Sequence, residues 1–367
     1  MGVTILPKKF YDALDFQNVL LASIASNMGD KGITITNWQD VQRVVRMGIA
    51  DKMFKVGDQF VSSYDTGQIV WDVIGINHDT PTDKKYSNSL TLQAHDCILN
   101  VQFDAPEALY YAEEELPAGE QVFTLNSIKY TFTTTKAVPA GGQVYINAWE
   151  TQGYAPTAIT TYAADRTTAI ETGLPVTVVE LGDDTLSPVN DYTRCIGGSS
   201  NYVESAIKQW LNSDADTFAW VPKTNYDRTP TSALPSAGFL KLLDPELTAV
   251  LGAVDKQVAR NTVTDGGGQD LFSDKVFLLS FVEVFGGTEG TTTGEQAYPY
   301  YSTLAANPTA DALAVRIKYL DSSACSWWLR SPLAGYVSNP RYVYPSGAVY
   351  HNYARQAIGA APACCIV

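Results

Sequence analysis

Two of the three histidines stand beside aspartates, in His78-Asp79 and His95-Asp96. Each pair could supply an imidazole and a carboxylate to a metal ion or to acid–base chemistry, if neighbouring strands brought the pairs together. The same arrangement arises when a nearby carboxylate or backbone group merely satisfies the imidazole. No third or fourth ligand lies at helical or hairpin spacing, so the second reading is favoured and no metal is expected. Thr264-Asp-Gly-Gly-Gly-Gln-Asp270 has the look of one turn of a calcium-binding repeat, yet a single Gly-rich turn serves any tight backbone path. Cys364-Cys365 invites redox or copper chemistry, but neighbouring side chains of a strand point to opposite faces and share ligands poorly. The five Cys (97, 195, 325, 364 and 365) are odd in number and lack metal spacing, which predicts free, mostly buried thiols. No nucleophile elbow, His-Glu-x-x-His, P-loop or Gly-x-Gly-x-x-Gly occurs, and His351 has no evident base or nucleophile as companion. No catalytic residue and no cofactor is expected; an enzyme is the weaker class.

Recognition chemistry is better represented. Ser326-Trp327-Trp328-Leu329-Arg330-Ser331-Pro332 places large apolar area beside a stop, which reads as a rigid, buried base. Residues 333–353 then mix Gly, Asn, Ser and Pro with five Tyr, Arg341 and His351. Tyr offers wide contact at low entropy cost, and Ser, Gly and Asn offer adaptable hydrogen bonds, as in a paratope. Two edge strands around a Pro345-Ser346-Gly347 turn, with Tyr as ordinary strand filler, would give the same composition. The candidate ligand-binding residues are Leu333, Tyr336, Ser338, Asn339, Arg341, Tyr342, Tyr344, Tyr350, His351, Asn352, Tyr353 and Arg355. Strand alternation lets about half of the tail face outward, with the loop residues Asn339 and Asn352 expected among the exposed ones.

The elements that must position this tail read as follows. Residues 1–52 form a helical segment: Tyr11, Leu14, Val19, Leu21 and Ile24 make one apolar stripe, and Thr36 with Gln39 launches a second helix through Trp38, Val41, Val44 and Val45. Residues 53–115 begin the main domain, with a hairpin signal at Asp65-Thr66-Gly67, a long apolar strand through Trp71, and a short helix over 105–115. Leu116-Pro-Ala-Gly-Glu-Gln-Val-Phe-Thr124 echoes in Val138-Pro-Ala-Gly-Gly-Gln-Val-Tyr-Ile146. Both copies are turns feeding alternating strands, so 116–190 reads as an inserted all-β subdomain. Residues 191–367 resume the main domain: Asn201 and Glu204 cap a helix through Ile207 and Trp210, a second helical piece breaks at Asp244-Pro245, and a buried strand covers 276–280.

The chain has a formal net charge of −14, with 45% hydrophobic and 17% charged residues. That composition supports a packed core and excludes phosphate-tracking, which needs clustered Lys and Arg; nucleic acid is not an expected partner. No apolar run reaches membrane-span length, and residues 1–14 lack a basic start followed by an apolar stretch, so neither membrane insertion nor a signal peptide is expected.

Tryptophan pair, strand, Ser-Gly turn, strand and closing Ala-Ala-Pro-Ala-Cys-Cys-Ile-Val together resemble the C-terminal signature of a domain family frequent in gut-bacterial prophages. Gly57-Asp58 with Ile69-Val70-Trp71-Asp72, Glu204-Ser205-Ala206-Ile207-Lys208-Gln209-Trp210, and Asp274-Lys275-Val276-Phe277 fit the same order. Where that family closes on Arg-Pro, this chain has Ala361-Pro362. The resemblance implies an α+β, C-type-lectin-like fold carrying the inserted subdomain and the helical lead. Some members are variable proteins of diversity-generating retroelements. It further implies a phage or prophage receptor-binding or tail-associated protein, made in the bacterial cytoplasm and carried on the virion, whose diversified tail binds a host-surface protein or glycan. Other virion proteins and further copies of the chain complete the partner classes. Two alternatives are an undiversified structural component of a virion or cell surface, and an oxidase of the formylglycine-generating type using Cys364 and Cys365.

Overall fold

The computed structural model describes residues 35–125, 128–149, 156–179, 197–230, 234–287, 294–305 and 314–367. The first apolar stripe (Tyr11 to Ile24), Cys195 and the end of the expected insert lie outside them. Two five-stranded sheets join strands from residues 59–102 to strands from the C-terminal part of the chain. In the first, Gln59–Tyr64, Gly67–Ile76, Leu90–Ala94, Ala363–Ile366 and Val276–Phe277 lie side by side in that order. In the second the order is Val349–His351, Pro340–Val343, Trp327–Pro332, Ala357–Gly359 and Asn100–Gln102. The last strand of the chain therefore lies inside the first sheet, pairing Cys364 with Leu92 on one side and Val276 on the other. A strand buried on both faces must be apolar throughout, and Ala363–Ile366 is buried at every position.

Hairpin chemistry works as expected at Asp65, whose positive φ of 48° closes the turn between Tyr64 and Gly67. The two echoing segments meet each other: Leu116 and Val138 form an antiparallel bridge. Beyond them lie a three-stranded sheet of Thr177–Val179, Ile128–Thr134 and Gly119–Leu125, and a four-stranded one of Ala169–Pro175, Pro156–Tyr162, Gln143–Trp149 and Tyr110–Tyr111. A core of its own, including Phe123, Phe132, Val144 and Ile159, lies beneath them.

The α+β, C-type-lectin-like expectation is corrected here. The described residues are mainly β, spread over several small sheets, with seven helices of four to nine residues. Each shortfall in helix has a local cause. Residues 105–115 form no helix, because Leu109 and Ala112 donate their backbone N–H groups to the carbonyls of Val144 and Gly142 (2.8 and 2.9 Å) and Tyr110–Tyr111 joins a sheet. Pro245 divides Phe239–Leu242 from Pro245–Val250, with Asp244 capping the second piece. Ser205, not Asn201, caps Ala206–Leu211 by accepting from Lys208 N–H. Trp38–Arg46 does form, but Asn37 is its cap, while Thr36 donates its hydroxyl to Asp40 (2.7 Å).

Candidate functional site

Strand Trp327–Pro332 is buried at all six positions and sends alternate side chains into two cores. Trp328 enters one, where its ring meets Phe103 and Tyr342 edge-on and its Nε1–H donates to the Val101 carbonyl (2.9 Å). Trp327 enters the other and donates to the Arg316 carbonyl (2.9 Å). Both indoles thus satisfy their one polar atom inside the protein, as buried Trp requires.

On this base the next two strands carry the aromatic tail to the free edge of the sheet. Register pairs Tyr342 with Tyr350 and Arg341 with His351, so the two pairs face opposite sides. Tyr344 and Tyr350 contact each other and Tyr342 on one side, with ring centroids 5.9–6.4 Å apart. Across the edge, Tyr350 stacks on His351 at 5.3 Å with planes 6° apart, and His351 meets Tyr336 at 5.4 Å. The result is one continuous ridge, Tyr344–Tyr350–His351–Tyr336. Its tyrosines remain 50%, 58% and 52% exposed in that order.

Not every candidate joins it. Ser338, Asn339 and Tyr342 are buried, and the expected exposure of Asn339, and of the half-buried Asn352, is corrected. Asn339 Nδ2 lies 3.0 Å from His351 Nδ1 and its Oδ1 accepts from Ser338 (3.1 Å), so the amide holds the imidazole in place from beneath. Burial, then Arg341, pushes the His351 pKa down, which suits an imidazole accepting at Nδ1. Ser338 is pressed on Gly197, where a Cβ would come within 2.3 Å of it. Leu333, Arg341, Asn352, Tyr353 and Arg355 are half-buried; Arg341 lies over the Phe281 ring (4.9 Å) and Arg355 over that of Tyr353 (5.7 Å).

A second cluster escaped the sequence reading. Arg330, fully buried, donates to Glu283 (2.6 Å), to Glu295, and to the carbonyls of Leu278 (2.7 Å) and Gln257 (3.0 Å). Lys256 Nζ binds Glu283 (2.8 Å), Tyr298 Oη (2.7 Å) and Asp79. Burial alone would raise the carboxyls of Asp79 and Glu283, but the Lys256 ammonium for the first, and Arg330 with Lys256 for the second, hold both below the carboxylate range. Burial prevails at Glu295, whose carboxyl is pushed up. A cavity of about 620 Å³, lined also by His78 and Phe272, opens above. The donors of Lys256 and most of those of Arg330 are already engaged, as in a clamp between elements. The sequence did hold one signal: Ser280 and Glu283 form a capping box, S-x-x-E, at the helix Phe281–Phe285.

The remaining candidates are satisfied locally. His95 pairs with Asp72 (2.8 Å), not Asp96, and the His78 ring lies tilted against that of Tyr298, with centroids 4.2 Å apart. The loop at 261–268 is organised by Asn261 Oδ1, which accepts from the backbone of Val263 and Thr264 (3.0 and 2.9 Å), and by Arg260, which donates to Gly267 (2.8 Å). Cys364 and Cys365 are buried in different cores, and burial pushes both thiols up, away from the reactive thiolate. The expectation of free thiols throughout is corrected: Cys97 and Cys325 form a disulfide. The hairpin Lys318–Leu320/Ser323–Cys325 lies against the loop after Leu90–Ala94, where Cys97 N–H donates to the Tyr319 carbonyl (2.9 Å).

Among known families, one described as a domain of unknown function (DUF6273) matches residues 180–367. No curated protein and no solved structure matches the chain.

Proposed function

The chain belongs to the DUF6273 family, and we propose that it is a binding protein carried on a phage or prophage virion, receptor-binding or tail-associated, whose C-terminal ridge engages a ligand on the host surface. The virion setting rests only on the resemblance of the sequence motifs to a prophage-borne domain family. The binding role rests on one observation, the half-exposed rings Tyr344, Tyr350 and Tyr336, linked through the less exposed His351 ring, over a fully buried Trp base. Rings held from beneath lose little entropy on binding, which is how Tyr-rich surfaces gain affinity. Diversification of the tail belongs to the same proposal: an imperfect copy of the coding region for residues 325–367, differing at adenines and near a reverse transcriptase, would accompany it.

The test is Tyr344→Ala with Tyr350→Ala. Binding to cells of the bacterial host should be lost while the melting temperature barely moves, since half-exposed side chains away from caps and cores cost little to remove. A variant that unfolds, or binds cells as the parent does, would make the ridge scaffold.

A further inference from the structure

The hairpin Lys318–Leu320/Ser323–Cys325 is a sheet of two three-residue strands, and among the described residues it pairs with no other strand. A lone hairpin of that size is marginal in water. Its turn adds a further cost, because Asp321 and Ser322 both stand at positive φ (50° and 65°), which only Gly adopts freely. Residues 321–324 are exposed. Hydrogen bonds tie the first strand to residues 94–97: Lys318 Nζ donates to the carbonyls of Ala94 (2.6 Å) and His95 (2.9 Å), Tyr319 N–H to Asp96 (3.0 Å), and Cys97 N–H to the Tyr319 carbonyl (2.9 Å). The second strand is tied to the same loop by the bond from Cys325 to Cys97. Beneath the hairpin lies the base of the second sheet. Lys318 Nζ is 5.4 Å from the centroid of the Trp327 ring, Trp327 donates to Arg316 just before the hairpin, and the Ser326 carbonyl accepts from Gly359 (3.0 Å). Trp327 in turn pairs with Val343, the neighbour of Tyr344.

The two sulfurs differ in access: Cys97 is 6% exposed, while Cys325 is half-buried beside the exposed turn. Thiol–disulfide exchange needs a sulfur that a reagent can reach, and Cys325 offers one. Cys364 and Cys365 are fully buried and do not compete. A bond that closes a loop over 228 residues takes much freedom from the unfolded chain. Disulfides persist in oxidising surroundings and are opened by the thiols of a reducing cytoplasm. We propose that Cys97–Cys325 is a redox clasp: open in a reducing cytoplasm, it closes outside one and clamps the hairpin over Trp327. The oxidant is a small external disulfide of the glutathione class. The Cys325 thiolate attacks one of its sulfurs and releases one thiol; the Cys97 thiolate then attacks Cys325 Sγ in the mixed disulfide and releases the second. The chain gives up two protons and two electrons, and the external disulfide takes up both to become two thiols. The clasp acts on the hairpin whatever the ridge binds.

The experiment uses the full chain with Cys195→Ser, which removes the one cysteine outside the described residues. Equilibrated with oxidised glutathione and then denatured, it should show two maleimide-reactive thiols, those of Cys364 and Cys365; with dithiothreitol it should show four. The oxidised form should melt about 5 °C or more above the reduced one. On reduction the amides of residues 318–325 should exchange with deuterium roughly tenfold faster or more, while those of Leu90–Ala94 stay protected. Cys97→Ser with Cys325→Ser should behave as the reduced form with or without dithiothreitol, which separates the clasp from any other effect of the reagent. Four thiols after oxidation, or a glutathione adduct on Cys325 that Cys97 does not displace, would overturn the proposal. So would hairpin exchange and melting that ignore the redox state.

Discussion

Replacing Arg330 by Met keeps a long side chain in place and removes the cation that Glu283 and Glu295 share. Those carboxylates have side-chain exposures of only 3% and 6%, and among the described residues Lys256 would then be the cation left facing Asp79 and Glu283. Removing one partner of a buried ion pair costs about 3–5 kcal/mol, because the stranded charge cannot reach water. The carbonyls of Leu278 and Gln257 lose their Arg330 donors, at about 1 kcal/mol each. Glu295 softens the loss by taking a proton, which its burial already favours. The expected cost is about 4 kcal/mol, a large part of the roughly 5–15 kcal/mol that holds a native protein together. Urea unfolding followed by Trp fluorescence measures it. Adding Glu295→Gln removes one stranded charge and should return about 1–2 kcal/mol, a coupling typical of groups in one network. A single variant that loses under about 1 kcal/mol, or a double variant no more stable than the single, would refute the clamp.

Trp328→Ala should cost about 3–5 kcal/mol from the cavity, and an unchanged thermal melt would show that the base beneath the ridge is dispensable. Alkaline stability has a sign that can be worked out. Above about pH 8.5 the unfolded chain releases protons from Cys364 and Cys365 that the folded chain keeps, so stability falls as pH rises. Lys318, buried and pushed down to about 8 while donating to Ala94 and His95 carbonyls, acts in the opposite direction, one proton against two. The buried hydroxyls of Tyr64, Tyr202, Tyr298, Tyr300 and Tyr301, pushed up as well, steepen the loss as pH approaches about 10. Cys364→Ala with Cys365→Ala should make the fall between about pH 8.5 and 9.5 shallower, and a slope left unmoved by it would count against buried thiols.

What the sequence disclosed were features written within a few residues: the Asp65-Thr66-Gly67 turn, the paired echoes at Leu116 and Val138, and the strand alternation that turns only part of the tail outward. What it concealed depends on distant partners. Residues 105–115 carry a helical stripe, yet their backbone groups find better-placed acceptors in Gln143–Trp149 and its neighbours. Cys97 and Cys325 are 228 residues apart, and no spacing rule reaches across that gap. Arg330 looked like part of a stop because its partners, Glu283 and Glu295, are 47 and 35 residues before it. The Ser280-to-Glu283 capping box was legible and points at that same carboxylate.

The tail holds two kinds of tyrosine, and the difference decides which positions can vary without loss of the fold. Tyr342 is 6% exposed and packs edge-on to Trp328, so its replacement opens the core. Ser338 and Asn339 are constrained in another way: the first fills the space above Gly197, and the second holds His351 through its amide. Tyr336, Tyr344 and Tyr350 have about half their surface in solvent and are not needed by either core. A scaffold that is to present changing side chains must confine the change to such positions, because a substitution costing more than a few kcal/mol removes the surface together with the fold. By that criterion the ridge tyrosines can be exchanged, while Tyr342, Ser338 and Asn339 belong to the frame that carries them.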